Sequence, residues 1–476
     1  MSSVGAALGR LLGEQSVLVP NDGSPYLIDA SGRRGLVGSA EAVALPDSAE
    51  QVARLLGWCY EHDVPLVARG GGTGLVGGAV PREGSVVCSL ERLRGVRELE
   101  PGLWRMCVEA GLTTRHVQRL ARENGLFFGP DPGGADQAQI GGNVATNAGG
   151  PHALKYGVTG AWVSGLEVAL APGELVGLGG WTRKDVAGYD LKDLLIGSEG
   201  TLGIVTAVRL RLLPAPASTV AMVVFLGSRE DGCRVALELL AGGLRPAVLD
   251  FLDGETLKLA GGAYPAVRAS GHGARGGGED GGVLGESGIP RDAGFALIVE
   301  VDGSVEETRA QRAEVLELVG EAAVAVHEPL EQAALWRWRD GVNPAVTGVR
   351  GAKVSGDVVV PIELLHDALV RFDGIAESRG LRSCAWGHAG EGNVHATVLV
   401  DPASERELDA AEEVMEELYG AVAELGGSIA GEHGVGLLKR GQLARQWSPR
   451  AVELHEQIKQ LFDPKGLLNP GKKLAR

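Results

Sequence analysis

Histidine and carboxylate side chains occur together in two glycine-rich windows of the second half of the chain. The first window, residues 387–395, holds His388 and His395, and the second, residues 431–436, holds Glu432 next to His433. Two imidazoles and one carboxylate form a three-ligand set with an open position, which suits Zn²⁺ or a similar divalent cation in a catalytic role. Spacing alone leaves an alternative open, in which these are loop histidines bonded to backbone.

The interval of seven between His388 and His395 would place both rings on one face of a helix. Three glycines lie in the same window, and each costs a helix roughly 1 kcal/mol. The sequence therefore predicts a loop that turns into a strand over residues 394–400.

A second chemical feature is the pattern G-x-G-x-x-G at Gly72, Gly74 and Gly77, which follows the apolar run 64–67. A Rossmann loop must run directly into a helix that receives the pyrophosphate of NAD. Here Pro81 and a strand-like run, residues 86–90, follow instead, so NAD is disfavoured. A loop that cradles phosphates with bare backbone N–H groups and a glycine-rich hairpin without ligand both remain possible.

Two more glycine-rich segments, residues 129–150 and 197–204, have few apolar side chains to pack. The first carries Asn143 and Asn147, whose amides offer both hydrogen-bond donors and acceptors. Such groups suit the polar edge of a flavin ring, and glycines suit close approach of the backbone. These segments favour a ligand-binding loop system over a plain hairpin.

The composition excludes several classes of protein. The chain has 476 residues, with 45 Lys and Arg against 61 Asp and Glu, so it is a poor nucleic-acid or anionic-membrane binder. Apolar runs are too short for a transmembrane span. The five cysteines are scattered, which indicates reduced thiols of a cytoplasmic protein and provides no iron–sulfur ligands.

The helices and strands that must position these residues are predicted from the periodicity of apolar residues and from the positions of glycine and proline. The first half is predicted to hold a mostly irregular stretch at 129–160, helices at 48–63 and 113–124, and strands at 64–68 and 204–213. Pro214 and Pro216 indicate a domain boundary. The second half mixes strands (220–226, 295–301, 394–400) with helices (304–319, 362–379, 404–425), an α+β pattern. Residues 261–294, rich in glycine and charge, are predicted to be a mobile surface loop.

Taken together, the motifs resemble those of the vanillyl-alcohol-oxidase/PCMH flavoproteins. The branch is that of D-lactate dehydrogenase (cytochrome), the glycolate oxidase catalytic subunit and D-2-hydroxyglutarate dehydrogenase. The resemblance runs from about residue 20 to the end. Each motif alone is weak, but the set is specific: Arg69-Gly70-Gly71-Gly72-Thr73-Gly74, Ile140-Gly141-Gly142-Asn143, Asn147-Ala148-Gly149-Gly150, Lys155-Tyr156-Gly157, Lys184-Asp185-Val186-Ala187-Gly188-Tyr189-Asp190 and Gly197-Ser198-Glu199-Gly200-Thr201-Leu202-Gly203.

The resemblance implies an α+β fold in three parts. Residues 1–216 would form a PCMH-type FAD-binding domain of two subdomains. Residues 217–430 would form an α+β substrate or cap domain with a central antiparallel sheet and the insert at 261–294. Residues 431–476 would return to the FAD domain.

The resemblance also implies the cofactor contacts. FAD would be bound non-covalently, since no His or Cys stands near the phosphate loop. The implied FAD-binding residues are Arg69, Gly70, Gly71, Gly72, Thr73, Gly74, Pro132, Gly133, Gly134, Gly142, Asn143, Asn147, Gly149, Gly150, Gly157, Glu199, Gly203, Ile204 and Asn469.

For the substrate, the family pattern implies a metal, zinc or manganese, on His388, His395 and Glu432. His433 would be the general base. Arg339 would bind the substrate carboxylate as a planar fork, although composition alone describes it as an ordinary charge on a helix surface. Lys353 would match a second carboxylate-binding position. Its spacing to Asp357 is longer than in the D-2-hydroxyglutarate dehydrogenases, which disfavours a dicarboxylate substrate.

The resemblance thus implies a FAD-dependent dehydrogenase that oxidises a D-2-hydroxy acid, D-lactate or glycolate, to the 2-oxo acid by hydride transfer to flavin N5. Electrons would leave to an external acceptor: a cytochrome, a quinone, an electron-transfer flavoprotein or a partner iron–sulfur subunit. The protein would be cytoplasmic, or peripheral to a membrane through that acceptor, but not integral to it. Alternatives are a D-2-hydroxyglutarate dehydrogenase, a flavin enzyme of the alkyl-ether-forming type, and a non-catalytic flavin-holding subunit of a glycolate oxidase complex. The intact histidine windows argue against the last two.

Overall fold

The structure is a computed structural model that describes residues 3–269 and 288–474. The chain divides into two units. The first comprises residues 1–150, 156–215 and 432–476, and the second comprises residues 151–155 and 216–431. The predicted loop at 261–294 lies partly outside the described residues.

The first unit contains two main sheets. Its strands are β1 (Val17–Leu18), β2 (Ala40–Ala44), β3 (Leu66–Arg69), β4 (Ser85–Ser89), β5 (Val96–Glu100), β6 (Arg105–Glu109), β7 (Leu126–Phe127), β8 (Val163–Leu170), β9 (Glu174–Gly179), β10 (Ile204–Arg211) and β11 (Leu213–Pro214). One sheet has the order β1-β2-β4-β3, with β2, β4 and β3 parallel, and the other is antiparallel in the order β5-β6-β10-β8-β9. Strands β7 and β11 form a separate pair. Two sheets agree with the two subdomains implied by the sequence.

Several helices of the first unit begin directly after a residue whose side chain caps them. They are α1 (Ser3–Leu12), α2 (Ala49–Glu61), α3 (Thr114–Glu123), α4 (Ile140–Thr146), α5 (Ala153–Tyr156, which starts in the second unit) and α6 (Leu191–Leu195). The hydroxyl of Ser48 accepts the N–H of Gln51 at 3.3 Å, which explains why α2 begins at Ala49. The predicted helices at 48–63 and 113–124 are confirmed.

The stretch 129–160 is mostly irregular, as expected, but residues 140–146 within it form α4. Gly141 and Gly142 lower the intrinsic helix propensity, yet tertiary packing overrides it. A Cβ on Gly141 would lie 2.6 Å from the Cβ of Ala110, the residue that follows β6. The close packing of α4 on this residue therefore requires a glycine at position 141.

The second unit is built on one eight-stranded antiparallel sheet. Its strands are β12 (Ser218–Leu226), β13 (Val248–Asp253), β14 (Val267–Ala269), β15 (Phe295–Gly303), β16 (Ala323–Pro329), β17 (Ala352–Val359), β18 (Arg382–His388) and β19 (Asn393–Val400). The order is β14-β16-β12-β15-β13-β18-β19-β17. The central antiparallel sheet and the predicted strands at 220–226, 295–301 and 394–400 are confirmed. Strand β14 corrects part of the loop predicted at 261–294, because residues 267–269 pair with β16.

Helices cover both faces of this sheet. They are α7 (Arg229–Ala241), α8 (Gly254–Ala260), α9 (Val305–Val319), α10 (Gln332–Asp340), α11 (Val342–Gly348), α12 (Leu365–Ser378) and α13 (Glu405–Glu424); α14 (Leu443–Gln446) and α15 (Pro449–Phe462) belong to the first unit. Side chains of α8, α10 and α11 share one apolar core with Ile298, Cys384 and Trp386 of the sheet. The other face packs on α7, α9, α12 and α13. Among the described residues no helix is long and apolar enough to cross a membrane.

Candidate flavin and substrate sites

The glycine loop that follows β3 packs against the second glycine-rich segment. Within residues 70–84, all of them described, the chain passes from β3 to β4 without a helix, as expected. A Cβ on Gly71 would lie 2.0 Å from the carbonyl oxygen of Gln137, and the Gln137 amide donates to the Gly71 carbonyl at 2.8 Å. The Cα atom of Gly142 lies 3.4 Å from a Cβ built on Gly70. Glycine is needed here for close backbone approach.

The third glycine-rich segment packs on the same helix, α4. The N–H of Gly197 donates to the Val144 carbonyl at 2.9 Å, and the N–H of Glu199 donates to the Ala145 carbonyl at 2.7 Å. The structure therefore brings together three segments that are far apart in the sequence.

Some glycines of these segments border open space rather than protein. No described heavy atom outside the chain neighbours lies within 4 Å of a Cβ built on Gly78 or Gly133, and at Gly74 only Asp29 Oδ2 does, at 3.7 Å. Bare backbone beside open space is what a phosphate-binding loop requires. These positions fit the pyrophosphate of FAD.

The two asparagines expected at the flavin edge also support the loops themselves. Asn143 is buried, and its Nδ2 donates to Thr114 Oγ1 at 2.7 Å. Asn147 ends α4 in the left-handed conformation, and its Oδ1 accepts the N–H of Gly160 at 2.8 Å. Their side chains thus fix the loop geometry, and contact with the flavin remains a prediction.

Glu199 and Asn469 bind the C-terminal segment to these loops. The carboxylate of Glu199 accepts the N–H groups of Val435 and Gly436 at 3.0 and 2.7 Å. Asn469 Nδ2 donates to the carbonyls of Gly78 and Glu199 at 3.0 and 2.6 Å. The last segment of the chain thereby holds the end of the glycine loop.

Three other predicted cofactor residues are tightly packed. A Cβ on Gly150 would lie 2.5 Å from Asp131 Oδ1, and one on Gly203 would lie 2.7 Å from Val168 Cγ1. Ile204 is buried in the main core of the first unit. Packing against protein explains the residue type at each of these three positions. Any contact with the cofactor there would be made by the backbone.

In the second unit, strand pairing gathers the polar residues on one face of the sheet. Residues directly opposite in an antiparallel pair project to the same face. Asp250 pairs with His388, and His395 pairs with both Trp386 and Asp357. Because Trp386 and His388 are two residues apart on β18, all five side chains share one face.

The two histidines meet through the turn Ala389–Glu391, which joins β18 to β19. His388 ends β18, and His395 lies in β19, so the expected loop and strand are confirmed. The ring centroids are 5.5 Å apart and nearly perpendicular, and both side chains are buried. His388 Nδ1 lies 2.6 Å from Asp250 Oδ1, whereas His395 Nδ1 lies 3.7 Å from Asp357 Oδ1.

Arg339 lies on α10 and is buried, so its description as an ordinary surface charge is wrong. Its Nε donates to Asp250 Oδ2 at 2.7 Å. Burial alone would raise the pKa of Asp250, but the charges and hydrogen bonds of His388 and Arg339 outweigh burial and hold that pKa at about 2.

Lys353 projects from the Asp357 face of β17, since the two residues are separated by an even interval. Its ammonium donates to Ser355 Oγ at 2.9 Å and lies 4.7 Å from the centroid of the Trp386 ring. Ser355 Oγ in turn lies 2.8 Å from Thr397 Oγ1. A cationic group therefore lies on the same sheet face as the histidines.

Glu432 and His433 begin the last segment of the first unit, directly after Gly431 of the second unit. The N–H of Gly431 donates to Asp357 Oδ2 at 3.0 Å. Glu432 Oε1 lies 3.8 Å from His433 Nε2.

Sequence reasoning missed Asp250, Asp357 and Asn393. Asn393 is buried, and its Nδ2 donates to Asp357 Oδ1 at 2.8 Å. A signal was present for Asp250, because it stands in the otherwise apolar run Val-Leu-Asp-Phe-Leu. A carboxylate inside a buried strand needs a charged or hydrogen-bonding partner.

Glycine-rich loops beside open space, and a sheet face with histidines and an arginine, are features that suit a flavin-dependent oxidoreductase. The family comparison agrees: residues 40–179 match the model "FAD binding domain", and residues 215–473 match "FAD linked oxidases, C-terminal domain". The chain belongs to the FAD-linked oxidase family, and residues 40–179 are an FAD-binding domain.

Curated relatives cover nearly the whole chain. "Glycolate oxidase subunit GlcD" of Bacillus subtilis is 34% identical over 440 residues, 92% of this chain and 89% of that protein. "D-lactate dehydrogenase" of Archaeoglobus fulgidus is 34% identical over 435 residues, 90% of each chain. "D-2-hydroxyglutarate dehydrogenase" of Xanthomonas citri is 34% identical over 453 residues, 90% of this chain and 88% of that protein.

Solved structures support the fold. p-Cresol methylhydroxylase matches with a TM-score of 0.78 at 19% identity, over 98% of this chain and 96% of that chain. Alkyldihydroxyacetonephosphate synthase matches with a TM-score of 0.74 at 16% identity, over 99% and 86%. The expected PCMH-type architecture is confirmed.

Proposed function

We propose that the protein oxidises a small D-2-hydroxy acid, D-lactate or glycolate, to the 2-oxo acid. The observation that carries this proposal is the bonding of Arg339 and His388 to the same buried carboxylate, Asp250. A carboxylate-binding cation and an imidazole thus lie next to each other, which suits a substrate with adjacent carboxylate and hydroxyl groups. The three relatives are named for glycolate, D-lactate and D-2-hydroxyglutarate, which are all 2-hydroxy acids.

Arg339 would bind the substrate carboxylate. With Nε bonded to Asp250, the two terminal nitrogens of the guanidinium form the edge that matches two carboxylate oxygens. Low exposure strengthens such a pair because water does not compete with it.

His388, His395 and Glu432 would hold a divalent cation, zinc or manganese. Two buried imidazoles at a centroid distance of 5.5 Å fit this role, and Glu432 would be the third ligand. A cation there would act as a Lewis acid that lowers the pKa of the substrate hydroxyl. His433 would accept the hydroxyl proton, a task suited to an imidazole near neutral pH.

FAD would be held non-covalently, since residues 69–81 contain neither His nor Cys. When bound, FAD supplies the redox chemistry by accepting hydride at N5. Electrons would then pass to an external acceptor, which is a cytochrome, a quinone, an electron-transfer flavoprotein or an iron–sulfur partner. The protein would work in the cytoplasm or at a membrane surface through that acceptor.

A substrate panel tests the proposal. Purified FAD-loaded protein would be assayed with a dye acceptor against glycolate, D-lactate, L-lactate and D-2-hydroxyglutarate. Preference for D-lactate or glycolate supports the proposal, and turnover of none of them overturns it in favour of a non-catalytic flavin-holding subunit. D-2-Hydroxyglutarate is the second candidate, because Lys353 places another cation on the sheet face, and selective turnover of that acid would favour it.

A further inference from the structure

Asp250 is a fully buried carboxylate on the sheet face that carries the histidines. It lies in the middle of β13, between β15 and β18, and its exposed fraction is zero. An ionised carboxylate in such a place costs several kcal/mol unless it is fully paired. The two pairings that Asp250 makes are therefore built into the fold.

The two oxygens of Asp250 serve two different residues. Oδ1 lies 2.6 Å from His388 Nδ1, and Oδ2 accepts from Arg339 Nε at 2.7 Å. A carboxylate can only accept, so the contact places the His388 proton on Nδ1 and presents the Nε2 lone pair on the opposite side of the ring. On Arg339, Nε donates to Asp250, which leaves the two terminal nitrogens of the guanidinium to bind another group.

We propose that Asp250 is a positioning residue that couples substrate-carboxylate recognition by Arg339 to metal binding by His388. This inference rests on the proposed function. One carboxylate fixes the tautomer of the imidazole and the rotamer of the guanidinium, so the two functions are set by the same side chain and are weakened by the same substitution.

The substitution Asp250→Asn separates this role from charge burial. An amide has one acceptor and one donor end, so it accepts from His388 or from Arg339 but not from both. If the amide N–H₂ faces His388, it must donate to Nδ1, and the imidazole proton moves to Nε2, which is the nitrogen that a metal would need. If the amide N–H₂ faces Arg339 instead, two donors oppose each other and the guanidinium is displaced.

The matched control is Asp253→Asn on the same strand. Asp253 is equally buried, but its oxygens accept the N–H groups of Thr256 and Ala385, each at 2.7 Å, and it contacts neither Arg339 nor His388. Both variants remove one buried carboxylate from β13.

Two readouts test the coupling on FAD-loaded protein. The affinity for zinc alone is measured by competition with a fluorescent chelator, and KM and kcat for D-lactate and glycolate are measured with a dye acceptor. Asp250→Asn should weaken zinc binding by about 10-fold or more and raise KM by a similar factor, with unchanged flavin content. Asp253→Asn should change neither by more than about twofold, even where it lowers the melting temperature.

The outcomes distinguish the inference from the proposed function. If wild-type protein binds zinc and oxidises a 2-hydroxy acid while Asp250→Asn matches it in both readouts, the positioning role alone is refuted. If wild-type protein does neither, the proposed function fails and the role of Asp250 falls with it. Should Asp250→Asn not fold, Asp250→Ser replaces it, because the smaller side chain leaves room for water and still removes both contacts.

Discussion

The guanidinium of Arg69 occupies the space in which a side chain on Gly72 would begin. A Cβ built on Gly72 would lie 2.1 Å from Arg69 Nη2, and the φ of Gly72 is +69°. Arg69 is held in place by donating from Nη1 to the Ile28 carbonyl at 2.6 Å. A side chain at position 72 would therefore need a strained backbone and would displace the Arg69 guanidinium, whether or not a ligand is bound.

Replacing Gly72 with alanine should therefore destabilise the first unit with or without FAD. The left-handed backbone should cost about 1 to 2 kcal/mol, and displacement of the Arg69 guanidinium would add to it. The check is chemical denaturation followed by circular dichroism, with and without added FAD. An unchanged midpoint would contradict this account of Gly72.

Gly74→Ala should behave differently. Its Cβ would meet only Asp29 Oδ2, at an ordinary contact distance of 3.7 Å, so folding should be preserved. If the pyrophosphate of FAD lies against this backbone, the added methyl group should weaken FAD binding by about 10-fold or more. Titration of apoprotein with FAD, followed by flavin fluorescence, measures the change. Wild-type affinity in this variant would place the phosphates elsewhere.

Features that depend on local sequence were predictable from it. Periodicity predicted the helix at 48–63 and the strand at 204–213, and the glycines around the histidines predicted the turn between them. The absence of a helix after Gly77 correctly excluded a Rossmann loop. The glycine-rich segments and histidine windows stood out because their residue types are unusual for packing, whereas the individual site residues were implied by the family resemblance.

Features that depend on register were not predictable. The contact between Asp250 and His388 joins residues 138 positions apart through the pairing of β13 with β18. Nothing local specifies which strands become neighbours. Helix α4 was missed for the same reason, because the contact of Gly141 with Ala110 that stabilises it is not local.

His395→Ala should abolish turnover and zinc binding while leaving FAD bound. Losing one imidazole of a three-ligand set removes most of the affinity for a divalent cation. A strong chelator should have the same effect on wild-type protein, with an unchanged flavin spectrum and recovery on addition of Zn²⁺ or Mn²⁺. His366→Ala is the control, since His366 lies on α12 and is partly exposed. Full activity in protein shown by elemental analysis to be metal-free would disprove the metal site.

Arg339→Lys should raise KM for the 2-hydroxy acid by about 10- to 100-fold, with a smaller effect on kcat. Lysine keeps the charge beside Asp250 but lacks the planar fork for a carboxylate. Arg337→Lys is the matched control, because Arg337 is on the same helix with its side chain 69% exposed. Steady-state kinetics on both variants gives the comparison. Equal KM values would assign carboxylate binding to another group.

Asp253 should make the protein less stable as the pH rises from about 4 to about 6. Burial raises the pKa of this carboxyl to about 6, although N–H groups of Thr256 and Ala385 partly oppose the shift. The folded state then holds a proton that the unfolded state, with a pKa of 3.8, has released, so stability is lost between these values. The free energy of unfolding should fall by an amount on the order of 3 kcal/mol over this interval. Asp253→Asn cannot titrate at this position, so its free energy of unfolding should rise relative to that of wild type by about this amount over the same interval. A constant loss of stability from the altered hydrogen bonds would be superimposed. Urea unfolding of both proteins at several pH values measures the difference, and parallel pH profiles would show that Asp253 is ionised with an ordinary pKa in the folded state.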